Sequence, residues 1–117
     1  MLKPYYANAV LVTVGPLLFV SGQVAWDEAG NIVGVGDPVA QASQTFRNLR
    51  TVLRFHGADL ADVVKVTVYV TSLSWFDELS AMREELFAGR PSASTIVQVA
   101  GLVQPELLIE VDAVAVV

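Results

Sequence analysis

Val63-Val64-Lys65-Val66-Thr67-Val68-Tyr69-Val70 is the stretch on which the reading of the whole chain turns. Val64, Val66, Val68 and Val70 recur at every second position, with Lys65, Thr67 and Tyr69 between them. That is the period of a strand, whose successive side chains point to opposite faces. One face is wholly apolar and the other mixed, so the strand has two different surroundings. Downstream, Ser74 is a candidate helix cap with Asp77 three residues on; Phe76, Leu79 and Leu86 face inward, and Gly89 and Pro91 end the helix. Thr95 to Ala100 reads as strand again. Two strands joined by a helix of about fifteen residues form a right-handed crossover between parallel neighbours.

Upstream, Asp37-Pro38 is an N-cap followed by a first helical position, and Val39, Ala42, Phe46, Leu49 and Leu53 form one helical face that Gly57 ends. Asn8 to Val14 and Leu17 to Gln23, either side of Gly15-Pro16, read as a β-hairpin. Trp26 to Gly36 is a turn-rich connection with room for a short strand at Ile32 to Val35, and it is the expected mobile loop. The last strand, Leu107 to Val117, places Leu107, Ile109, Val111, Ala113 and Ala115 on one face and Leu108, Glu110, Asp112 and Val114 on the other. The fold class is therefore α/β (α+β): a mixed sheet with two helices packed on one face. The second face, with Tyr69, Leu108 and Val114 among polar groups, is left bare, and self-association covers it.

At 117 residues the chain is one domain, residues 1–117. A hydrophobic share of 54% against 16% charged excludes disorder and leaves apolar surface for a partner. A net charge of −5 is the wrong sign for neutralising phosphates, so nucleic acid is not an expected partner. Cys is absent and His56 is the single His, so no disulfide framework, thiol nucleophile or zinc site built from Cys or His is expected; a reducing cytoplasm fits. The apolar run from Ala9 to Val20 behind Lys3 is broken by Gly15-Pro16 and is too short to span a membrane.

Phosphate-loop, nucleophile-elbow, zinc-protease and dinucleotide signatures do not occur. A sparser set remains. Ser21, where a strand yields to Gly22, either bonds to backbone or faces a cleft with its neighbouring amides. Glu110, alternating with apolar residues, is paired, solvated or a proton carrier. Arg83, on or beside the inner helix face, pairs with Asp77 or Glu84 or clamps a carboxylate, and Arg90 has the same options. His56 at a helix C-terminus reads as structural, and Arg47, Arg50 and Arg54 as a solvated or intersubunit face.

In order and spacing, Leu18-Phe19-Val20-Ser21-Gly22-Gln23, Gln44-Thr45 with Asn48, Val52-Leu53 and Gly57, Asp62 to Val70, Phe76, Phe87, Pro91 and Ile109 to Ala115 resemble the RidA/YjgF imine/enamine deaminases across nearly the whole chain. The resemblance implies a chorismate-mutase-like fold. It also implies a homotrimer with a barrel-like centre and intersubunit clefts for a small imino- or keto-acid-like ligand. The activity implied is hydrolysis of reactive imines or enamines to a carbonyl compound and ammonia, without metal or cofactor. By the same resemblance Glu110 positions the attacking water, Ser21 and Gly22 bind polar atoms of the substrate, and Tyr6 walls the pocket. Two positions depart from the family pattern. Its carboxylate-binding arginine falls at Ala93 in Pro91-Ser92-Ala93-Ser94, and Ser80 stands where the family often has a cleft asparagine. Losing a charged bidentate contact weakens substrate binding by several kcal/mol, at about 1.5–3 for each hydrogen bond lost. The expectation is a non-classical substrate held by Arg83, or a cleft that binds a metabolite without turning it over. The ribonuclease activity sometimes attached to the family needs a basic surface that this composition lacks.

Overall fold

The computed structural model describes residues 6–87 and 90–117. Lys3 and Gly89 lie outside them. Among the described residues, five strands and two longer helices run in the order β1 (Tyr6–Ala7), β2 (Leu17–Gln23), α1 (Pro38–Phe55), β3 (Val63–Val70), α2 (Phe76–Phe87), β4 (Ser92–Gln98) and β5 (Ile109–Val116). The sheet order is β1-β4-β3-β5-β2. β3 is central, parallel to β4 and antiparallel to β5, which makes the sheet mixed.

α1 begins where the Asp37 carboxylate accepts from the Ala40 amide and Pro38 occupies the first turn. It ends at Gly57, whose φ of 80° only glycine takes without cost. Ala42, Phe46, Leu49 and Leu53 are buried against Val66, Val68, Val70, Ile109, Val111 and Ala113, while Val39 at the start of the same stripe is exposed. The helices meet through Phe46 and Phe87, edge to face at 6.1 Å.

Four local expectations are corrected. Asn8 to Val14 forms no strand and no hairpin with β2. Ala7 instead pairs with Ala93 on β4, at the opposite edge of the sheet from β2. The row Ala7, Ala93, Lys65, Val114, Phe19 shows that both ends of the intervening segment lie level with one another. Helix α2 is led in by a 3-10 turn, Leu73–Trp75, capped by Ser72, whose hydroxyl takes the amide of the expected cap Ser74. A register shift between Val63 and Lys65 buries Val63 and leaves Val64 half-buried, so the valine alternation starts one residue early. Ile32 to Val35 contributes only one bridge, Ile32 to Trp26.

The Trp26 to Gly36 connection is pinned. Asn48 Nδ2 donates to the Val24 and Trp26 carbonyls, both at 2.8 Å, and Trp26 Nε1 donates to Gln104 Oε1 at 2.7 Å. Gln41, wholly buried, donates to the Gly34 and Glu106 carbonyls and accepts from the Leu108 amide. One side-chain amide thereby ties α1 to the loop and to the approach to β5.

Candidate functional site

Register divides the candidate residues between the two faces of the sheet. Val68 and Val70 on β3, Ile109 and Val111 on β5, and Ser92, Ser94 and Ile96 on β4 turn to the helices. Lys65, Thr67 and Tyr69, Glu110, Asp112 and Val114, and Ala93, Thr95 and Val97 turn to the bare side.

On the bare side, β2 runs beside β5 with a register shift between Val20 and Gln23, and Ser21-Gly22 sits in it. The shift brings Gly22 against Glu110: a Cβ on Gly22 would overlap the carboxylate itself. Gly22 is not among the glycines with positive φ, so its backbone suits any residue and its bareness serves the glutamate. Ser21 is exposed beside it and Glu110 is half-buried. One strand over, Tyr69 is level with Glu110, and its hydroxyl donates to Asp112 Oδ2 at 2.9 Å. That hydrogen bond, together with the negative charge of Asp112, raises the Tyr69 phenol above its ordinary 10.0. Farther along, Lys65 Nζ donates to Thr95 Oγ1 and the Val66 carbonyl, both at 3.1 Å, and to Thr67 Oγ1 at 3.3 Å. The face thus offers an accessible carboxylate that can hold or deprotonate water, hydroxyls, and an ammonium on neutral oxygens. The Tyr69–Asp112 bond and the Lys65 cradle were missed by sequence reading. The alternation of β3 with the spacing of Glu110 and Asp112 placed these side chains on outward faces but did not pair the strands.

Ala93 lies on this face beside Lys65 and carries no polar group. Arg83 does not share the face. It is 2% exposed, projects from α2 and donates through Nη2 to Ser94 Oγ, on the helix side of β4. With Tyr6, Phe76, Ser94 and Ile96 it bounds a cavity of about 330 Å³. The structure therefore brings together Tyr6, Arg83 and Ser94 on one side and Ser21, Gly22 and Glu110 on the other, with the sheet between. Asp77 and Glu84, the partners weighed for Arg83, are both exposed. Ser80 is half-buried on α2 and is not among the residues bounding that cavity.

His56 caps α1, its amide donating to the Leu53 carbonyl and its ring edge-on to Phe55, as the structural reading expects. Arg50 and Arg54 both engage Asp59, at 2.8 and 3.0 Å. Desolvation pushes the Asp59 carboxyl up, but the Leu60 amide and the two guanidiniums outweigh it and its pKa falls to about 2. Arg47 and Arg90 are exposed. Among the described residues no group of three or more His, Cys, Asp or Glu side chains is arranged to hold a metal ion, and no helix is long and apolar enough to cross a membrane.

The Endoribonuclease L-PSP family matches residues 2–117. Protein DfrA of Myxococcus xanthus is 38% identical over 111 residues, covering 95% of this chain and 84% of its own length. A RutC family protein of Pyrococcus abyssi is 37% identical over 114 residues, covering 97% and 88%. Among solved structures, YyfB of Yersinia pestis, from the conserved Rid protein family, superposes with a TM-score of 0.92 at 38% identity, covering 97% of this chain and 89% of its own. Rv2704 of Mycobacterium tuberculosis, a member of the YjgF/YER057c/UK114 family, does so with a TM-score of 0.74 at 34% identity, covering 90% and 82%. With the mixed sheet, the helices on one face and the match along nearly its full length, the chain belongs to the YjgF/Rid family.

Proposed function

We propose that this chain is a small-molecule cleft protein whose reaction is hydrolysis of a reactive imine or enamine to a carbonyl compound and ammonia, with Glu110 as the water-positioning base. The observation that carries the reading is the seating of Glu110 against Gly22 in the irregular stretch of β2. A bulge beside a functional group re-aims a side chain, and here it clears space for one carboxylate on an otherwise uncovered face. An enamine first takes a proton at carbon to become the iminium. Water held by Glu110 then adds to the carbon of the protonated imine while the carboxylate takes one of its protons. That proton passes to nitrogen, and as the C–N bond breaks the hydroxyl proton goes to the carboxylate, leaving the carbonyl compound and ammonia. Exposed Ser21 and the Gly22 backbone bind substrate polar atoms. A homotrimer packed through the bare faces completes the cleft, and the exposed Phe19 and Val97 on that side support the assembly.

A second reading, ligand binding without turnover, is favoured by Ala93, which offers no charge on the Glu110 side of the sheet. Ammonia release from enzymatically generated imino acids separates the two. Activity in the wild type that Glu110→Gln abolishes supports hydrolysis. A silent wild type that gains activity in Ala93→Arg favours binding alone. Activity unchanged in Glu110→Gln contradicts the assigned role.

A further inference from the structure

We propose that the groove between α1 and α2 is a second binding site, for a free apolar α-amino acid taken as its zwitterion. It goes beyond the hydrolytic reading and shares no residue with it. The two helices carry opposite charge. Arg47, Arg50 and Arg54 are the only charged residues of α1, whereas α2 carries Asp77, Glu78, Glu84 and Glu85, with its one cation, Arg83, buried. Between them lies a cavity of about 360 Å³, at the lower end of small-molecule sites and small for a segment of a partner chain. Its floor is apolar: Phe46 and Leu60 are buried, and Met82 and Leu86 are partly buried against the same core. On the α1 side Ser43, Arg47 and Arg50 stand at i, i+4 and i+7, along one face of the helix, and Glu85 stands on the α2 side.

Each wall answers one part of a single ligand. Arg50 is held through Nε by Asp59 Oδ1 at 2.8 Å, and Asp59 is shared with Arg54, so the arginines outnumber the carboxylate that steadies them. Among the described residues neither Arg47 nor Glu85 makes an ion pair, and both are exposed at the cavity. An α-carboxylate takes charge-assisted hydrogen bonds from the α1 wall, an α-ammonium gives them to Glu85, and the side chain lies on Phe46, Met82 and Leu86. A simple anion meets Glu85 unfavourably, a simple cation meets two guanidiniums, and a neutral apolar molecule leaves both walls unanswered. The helices cover the opposite face of the sheet from Glu110, so this site and the proposed chemistry do not share a cleft.

The test is a titration of the full-length ¹⁵N-labelled protein with L-phenylalanine, read by amide shifts. Three probes each lack one part: 2-phenylethylamine the carboxylate, 3-phenylpropanoate the ammonium, and glycine the ring. Saturable shifts centred on Ser43, Arg47, Met82 and Glu85 are expected, with each probe binding at least about tenfold more weakly. Glu85→Gln weakens L-phenylalanine by about tenfold and does not weaken 3-phenylpropanoate, whereas Arg47→Gln weakens both. Both side chains are exposed, so the variants keep the fold. Shifts centred on Gly22 and Glu110 overturn the second site and leave the hydrolytic reading standing. Equal binding of 3-phenylpropanoate, unchanged affinity in Glu85→Gln, or no saturation by about 10 mM L-phenylalanine also overturns it.

Discussion

The two faces of the sheet are built from the same strands, yet they differ in what they hold. The helix-covered face is dry and apolar through Val66, Val68, Val70, Ile109, Val111 and Ala113, and it is sealed by Phe46, Leu49 and Leu53. The bare face carries Lys65, Thr67, Tyr69, Glu110 and Asp112 in neighbouring rows, with side-chain hydrogen bonds joining Lys65 to Thr67 and Tyr69 to Asp112. Alternation along each strand puts stability on one side and chemistry on the other. A mutation's effect should therefore depend on the direction its side chain points more than on its place in the chain.

Leu49→Ala makes the largest difference on the covered face. Leu49 is wholly buried at the centre of the helix–sheet contact, so about 2–5 kcal/mol of unfolding free energy is lost, read by urea denaturation. Asn48→Ala comes next. It removes two hydrogen bonds, leaving the Val24 carbonyl only the Trp26 amide and the Trp26 carbonyl only Gln44 Nε2. The cost is about 1–3 kcal/mol in the same measurement, at about 0.5–1.5 for each bond, and faster amide exchange at Val33, whose amide bonds to Ala25, shows the connection loosening. On the bare face, Tyr69→Phe costs less than either, because water replaces the lost bond. The same variant removes the tyrosine that titrates above 10.0 in an ultraviolet pH scan. A cost on the scale of Leu49→Ala would break the division between the faces.

The smallest effect concerns acid. The pKa of Asp59 is lowered from 3.8 to about 2, so its contribution to stability is present above pH 3.8 and is lost as pH falls towards 2. Asp59→Asn flattens that limb of the stability–pH curve and leaves the bare face untouched. Its side chain is 36% exposed, so the change is modest at physiological salt.

Local pattern carried much of the fold and little of the pairing. The alternation from Lys65 to Val70, the Asp37-Pro38 start of α1 and the faces of Ile109 to Val116 were all legible, because each follows from a period or a cap within a few residues. Asn8 to Val14 has strand composition but no strand, since composition does not say which edge is free to pair. Ser72 and Ser74 are equivalent as caps by type, and only the 3-10 turn distinguishes them. At the site, Glu110 and Gly22 were readable as separate residues. Their contact depends on the register shift in β2, a relation between strands far apart in sequence. The separation of Arg83 from Glu110 likewise follows from which way β4 turns Ser94, and no short motif encodes it.

Ammonia release by Gly22→Ala probes the seating of Glu110 against β2. The Gly22 backbone accepts alanine, so the substitution's main consequence is displacement of the Glu110 carboxylate. If that seating sets the chemistry, the variant folds well and its kcat/KM for imine hydrolysis falls at least about a hundredfold, close to Glu110→Gln. Wild-type activity in Gly22→Ala, with Glu110→Gln equally active, would contradict it.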